Sequence, residues 1–209
     1  MKPLLALDHI AVVARNLTEG CEYVKDCLGV DVPFGGEHPN MGTHNCLAKL
    51  GDDEFLEVIA INPEADAPNR PRWFNLDEHG NKEPYLAHWI ARTPKLSDLL
   101  PLIKAPIGAP MNCSRGNLTW QLTVPDDGSF AFDGMFPSLI EWPMRPFPGA
   151  TMADIGCQLH ELLIIHPQAN ELKNAFADNL ADPRVQVRNG EKPSLKASIN
   201  TPSGLRVLS

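Results

Sequence analysis

One order of elements occurs twice in this chain, and that repetition limits the folds open to it. Leu5 to Ala14 is short, apolar and rich in β-branched residues, the pattern of a strand. Asn16 is placed to cap a helix, with Glu19 three residues on completing a capping box. Leu17, Cys21, Val24 and Leu28 form one apolar stripe, and Gly29 ends it. Strands are then expected over Val30–Phe34, Thr43–Leu50 and Phe55–Ile61, with Gly51–Asp53 turning the last hairpin. This first unit reads β-α-β-β-β.

A polar, proline-bearing connector follows from Asn62 to Pro84, and the order returns. Leu86–Arg92 reads as a strand, and Thr93-Pro94 as a cap with proline at the first helical position. A short helix to about Leu100 and strands near Pro106–Asn112, Leu118–Val124 and Ser138–Trp142 complete the second unit. A third, divergent copy opens at "CQLHELLIIHP", continues as a helix over Gln168–Leu180, and ends in the strand-like pieces "RVQVR", "SLKASI" and "GLRVLS". The expected class is α+β, one continuous structure with modules at 1–62 and 85–145, a connector at 63–84 and a third module at 146–209. Proline is used at about twice the usual share, flanking apolar segments, so the turns are expected to be firm.

Each of the first two units carries an imidazole inside its first strand and a carboxylate inside its last. These are His9 and Glu57 in one, His88 and Glu141 in the other. Strand alternation puts His9 on a face with Leu7, Ala11 and Val13, opposite Ile10 and Val12, which the helix can cover. A lone strand histidine is usually a hydrogen-bonded core residue. Four such residues at matching elements call for a shared explanation, because a buried carboxylate needs a partner. A divalent cation is the simplest partner. With nitrogen and oxygen donors and no thiolate, Zn, Ni, Mn, Co and Fe all remain open.

Composition removes other classes of partner. The formal net charge of −8 argues against nucleic acid or an anionic membrane. No apolar run is long enough to span a bilayer, and Asp8 and His9 interrupt the only leader-like start. Five scattered cysteines without a CxxC pair suit reduced thiols in a cytoplasm.

The phrases "LDHIAV", "HPNMGTHNCLAKLGDDEFLEVIA", "RPRWF", "SRGNLTWQLTVPDDG" and "LIEW" run in order over almost the whole chain. They resemble the glyoxalase-like domain family of the vicinal oxygen chelate superfamily. The resemblance implies a cupped mixed sheet with helices on its outer face and a metal held on the concave side. By position, the implied ligands are His9, Glu57, His88 and Glu141, with Glu141 also moving a substrate proton. It further implies a small-molecule substrate, and a homodimer unless the third module takes the place of that contact.

Other residues are candidates for the mouth of such a cup. His38 and His44, in "EHPNMGTHN", would touch substrate or replace a ligand, with His44 a further catalytic candidate. Ser114, Arg115 and Trp120 would clamp a carboxylate or phosphate and stack an apolar group, because arginine offers a bidentate fork. The expected function is metal-dependent lyase or isomerase chemistry of the glyoxalase kind on a small oxygenated molecule. The alternatives are Fe(II)-dependent dioxygenation and metal-free sequestration of a small molecule.

Overall fold

The computed structural model describes residues 4–143, 145–176, 179–180 and 182–209. The first unit is β1 (Ala6–Val13), α1 (Leu17–Leu28), β2 (Phe34–His38), β3 (Thr43–Lys49) and β4 (Phe55–Ile61). The second is β5 (Tyr85–Arg92), α2 (Leu96–Leu99), β6 (Ala109–Arg115), β7 (Leu118–Val124) and β8 (Ser138–Glu141). A single turn, α3 (Pro148–Thr151), leads to β9 (Gln158–His166), α4 (Ala169–Ala175), β10 (Val185–Asn189), β11 (Ser194–Thr201) and β12 (Gly204–Leu208). The Asn16 side chain accepts from the Glu19 amide at 3.0 Å, and Gly29 closes α1 in the left-handed conformation, as the capping pattern predicts.

The first two units share one eight-stranded sheet in the order β2-β3-β4-β1-β5-β8-β7-β6. In each unit the last strand lies parallel to the first, and β1 joins β5 antiparallel at the centre. The order is a palindrome of modules, so first and last strands of both units are neighbours in the middle of the sheet. Residues of β2 approach β6 and curl the sheet into a cup. The third module forms its own four-stranded sheet, β10-β9-β11-β12. There β10, not the last strand, lies parallel to β9, so the third copy repeats the element order but not the pairing.

Two apolar layers result. Ile10, Val12, Leu56 and Val58 pack with Val24 and Leu28 of α1 on the convex side, in one core with Leu162, Leu172 and Ile199 of the third module. Ala11, Val13, Ile59, Ile90, Leu122 and Ile140 face the concave side with Trp73, Phe74 and Trp120. Leu7 belongs to the convex layer, not to the face of His9 that plain alternation assigns. The β1–β5 register slips between Leu7 and His9, and that bulge at Asp8 reverses the phase.

Several boundaries differ from the pattern. The strand expected over Val30–Phe34 begins at Phe34, and the one expected from Pro106 begins at Ala109. Prolines before both starts lack an amide donor for the ladder. The helix expected to reach Leu180 ends at Ala175, and Leu180 bridges to Leu5; Ala177 and Asp178 lie outside the described residues. The connector is not a plain loop, because Trp73–Glu78 turns back with Phe74 and Asn75 in the left-handed region.

Candidate functional site

The concave site grows from the bulge in β1. Asp8 is fully buried, and its Oδ1 accepts from His9 Nδ1 at 2.7 Å. Trp142 Nε1 donates to Asp8 Oδ2 at 3.0 Å. The opposite ring nitrogen, His9 Nε2, stands 3.5 Å from Glu57 Oε2. Glu57 reaches it from β4 because Phe55, directly opposite His9, stacks on the imidazole with ring centres 4.3 Å apart, and Glu57 shares that face two residues on. Asn45 on β3 donates to Glu57 Oε1 at 2.6 Å. His38 closes the chain, with Nδ1 3.1 Å from Thr43 Oγ1 and Nε2 3.4 Å from Asn45 Nδ2.

Two features of this geometry matter chemically. His9 and Glu57 are each anchored at the far atom, by Asp8 and Asn45, and each presents its remaining atom to the other. Their 3.5 Å separation is longer than a good charge-assisted hydrogen bond, so a substrate oxygen or water fits against both. Burial opposes charge on both groups, yet their mutual contact and the carboxylate of Asp8 prevail. His9 is raised to about 9 and Glu57 is lowered to about 2, giving a carboxylate–imidazolium–carboxylate row.

Arg115, the last residue of β6, lines the same cavity. Its stem lies across Gly36 on β2, where an added Cβ would stand 2.8 Å from Arg115 Cδ. Burial lowers its pKa and the charge of Glu57 opposes that shift. No hydrogen bond or ion pair engages its guanidinium among the described residues. Trp73, Phe74, Trp120 and Trp142 wall the cavity, which encloses about 30 Å³ in this conformation, enough for a water.

The site therefore brings together His9, Glu57, His38, Arg115 and Trp120, but not the other candidates. His88 faces the concave side without lining the cavity, and both its nitrogens are engaged. Nδ1 donates to Gly134 O at 2.9 Å, and Nε2 accepts from the Ser138 amide at 3.0 Å. That arrangement fixes a neutral tautomer with no lone pair to offer, and burial lowers its pKa to about 4. Glu141 follows Ile140, which faces the cup, and so points the other way; its Oε2 accepts the Leu96 amide at the start of α2 at 2.6 Å. His44 is on the face of β3 opposite Asn45, half-buried, with burial lowering its pKa. Ser114 alternates with Arg115 and lines a separate groove outside the cup.

A resident divalent cation does not fit these residues. His9 and Glu57 supply two donors, and the Asp8–His9 bond is the kind of support a ligating imidazole needs. Among the described residues a third protein donor is lacking, since His88 and Glu141 are committed elsewhere and His38 Nε2 is turned to Asn45. No group of three or more histidine, cysteine, aspartate or glutamate side chains is placed to hold a metal ion among the described residues. The unpaired guanidinium of Arg115 also disfavours a cation in the cavity.

Sequence patterns alone did not single out Asp8, Asn45, Trp73, Phe74 or Trp142 for the site. Asp8 carried a signal, since a charged residue beside His9 inside an apolar strand needs a buried partner. Trp73 and Phe74 arrive from the connector through a left-handed turn that no periodicity reveals.

The cup is made by pairing two β-α-β-β-β modules, with a first-strand histidine facing a last-strand glutamate. The chain belongs to the glyoxalase-like domain family, whose model matches residues 7–180. Comparison with curated protein sequences finds no match. Among solved structures, a protein of Staphylococcus aureus described as hypothetical superposes with a TM-score of 0.61 at 11% identity, covering 91% of this chain and 88% of that one. Methylmalonyl-CoA epimerase from Mycobacterium tuberculosis superposes with a TM-score of 0.47 at 16% identity, covering 69% of this chain and 93% of the epimerase. No helix among the described residues is long and apolar enough to cross a membrane.

Proposed function

We propose that this protein is an enzyme that moves a proton on a small carboxylate-bearing molecule, using its own side chains in place of a chelated metal. The observation that carries this reading is the anchored pair, His9 Nε2 facing Glu57 Oε2 across 3.5 Å, beside the unpaired guanidinium of Arg115. Arg115 takes the substrate carboxylate through its fork. Glu57 Oε2 accepts a proton from the carbon next to a carbonyl. The C–H electron pair moves toward the carbonyl oxygen, and the positive His9 meets the charge that develops there. Return of the proton to the same carbon completes an exchange or epimerisation; return to a neighbouring atom completes an isomerisation. The aromatic walls exclude water while the enolate exists.

Deuterium exchange followed by proton NMR in D2O tests this, with chelator-treated protein and a panel of 2-oxo, 3-oxo and 2-hydroxy acids. Wild type is expected to exchange the proton beside the carbonyl of at least one acid without added metal. Glu57→Gln is expected to slow that exchange by about 10²-fold or more, the usual contribution of a positioned base. Arg115→Gln is expected to raise the half-saturating concentration with a smaller effect on the maximal rate. Exchange that requires an added divalent metal, or that persists in Glu57→Gln, overturns the proposal.

A further inference from the structure

Asp8 touches His9 in the cup and, at 3.8 Å, Arg92 in the wall of a second cavity. That cavity, about 410 Å³, lies between the start of β1, the end of β5 and the segment after β8. Its apolar surface comes from Leu4, Leu5, Pro94 and Trp142. Its charge comes from Arg92 and Arg145, whose guanidinium carbons stand 4.7 and 4.4 Å from the centre of one ring, that of Phe147. Two like charges are thus gathered over a single aromatic side chain.

Arg92 is paired only at long distances and Arg145 not at all among the described residues. Asp8 is the nearest buried carboxylate to Arg92, at 3.8 Å, but its oxygens already serve His9 and Trp142. Asp53 accepts from Arg92 Nη2 only at 3.4 Å, and Arg92 Nη1 is buried without a hydrogen-bond partner among the described residues. Arg145 has no carboxylate partner among the described residues. A buried guanidinium that lacks its bonds is costly, and an arriving anion removes that cost. The surrounding leucines, prolines and tryptophan suit an apolar body more than a bare inorganic ion.

We infer that this cavity is a second ligand site, distinct from the cup, that takes an organic anion with a carboxylate or phosphate head and an apolar body. The head lies between Arg92 and Arg145, and the body rests against Leu5, Pro94 and Trp142. The site is independent of Arg115, so its failure and the failure of the proton-transfer reading can be told apart.

Isothermal titration of the full chain with octanoate, octyl phosphate, acetate and inorganic phosphate tests the inference. At least one octyl ligand is expected to bind about 10-fold or more tighter than its bare head group, as burial of several methylenes requires. Octanoate against octyl phosphate distinguishes the two heads. Arg145→Gln, at an exposed position, is expected to weaken binding about 10-fold. Arg115→Gln is expected to leave it unchanged. Absence of octyl binding in wild type, equal affinity in Arg145→Gln, or loss in Arg115→Gln instead would each overturn the inference.

Discussion

At the scale of single residues, neighbours that look alike in the sequence have opposite roles. His9 and His88 both interrupt apolar first strands, yet one is charged and faces the cavity while the other is neutral and tied to backbone. The difference lies in what adjoins them. Asp8 bulges beside His9, whereas the carbonyl of Gly134 and the amide of Ser138 enclose His88. Burial lowers the His88 pKa to about 4, against 6.5 for the unperturbed group. The unfolded chain then takes up the proton first, so the stability contributed by neutral His88 is complete above pH 6.5 and drains away as pH falls from 6.5 toward 4. A gap of this size corresponds to about 3 kcal/mol. Urea unfolding at pH 7.5 and 4.5 is expected to show a large acid loss in wild type. In His88→Gln the protein should be less stable at pH 7.5, and the acid loss should shrink by the share of His88; His38, His44 and His79, also lowered by burial, keep theirs, while the raised His9 opposes the loss in both proteins. Asp8→Asn leaves His9 and Trp142 with a weaker partner, and its expected cost is about 3 kcal/mol or more, as for other broken buried charge pairs. A shift in urea midpoint smaller than that of a surface Asp→Asn control contradicts this.

At the scale of elements, the modules were legible because their signals are local. The Asn16 cap, the α1 stripe and the Gly29 stop lie within one helix, and the hairpin of β3 and β4 lies between its own turn residues. His9 and Glu57 stood out as candidates because the first and last strands of one module carry them, but as ligands of a shared cation; their direct contact across 3.5 Å was not legible. The other half of the site was not: Glu141, one residue past the cup-facing Ile140, caps α2 instead, and His88 faces the cup but has both ring nitrogens bound to backbone. Trp73 and Phe74 depend on backbone conformations that aromatic residues seldom adopt, so composition gave no warning of them. The Gly35-Gly36 pair has its meaning only once β2 meets β6. An added Cβ at Gly36, whose φ is +156°, presses on the stem of Arg115. Gly36→Ala is therefore expected to displace the guanidinium and weaken substrate capture about 10-fold in the exchange assay, with the maximal rate nearly kept. Gly80→Ala, also at positive φ (+59°) but facing open space, should lose stability without that change in half-saturation. Equal effects of the two would show that Gly36 does not position Arg115.

At the scale of the whole molecule, the third module contributes a cover for the convex face. The Phe176 ring stacks on Phe136 with centres 4.7 Å apart and lies 5.9 Å from Trp89, so a residue beyond α4 packs directly on the second unit. Backbone bonds cross the same boundary, from Leu159 N to Leu50 O at 3.1 Å and from Leu5 N to Asn179 O at 3.0 Å. Arg184 adds an ion pair to Glu54 at 2.6 Å. Leu162, Leu172, Ile199 and Leu208 belong to one continuous apolar core with Ile10, Val24 and Leu56. A sheet that shares its core in this way has no separate interior to keep when the other sheet melts, so the protein is expected to unfold in one cooperative step. Phe176→Ala removes an aromatic ring from that shared core and is expected to cost about 3–5 kcal/mol. Near-ultraviolet signals from Trp89 and far-ultraviolet signals from both sheets should shift together in that variant. If the far-ultraviolet curve instead splits, with one phase lost early and the other left at the wild-type midpoint, the two sheets are independent units and the shared core does not couple them.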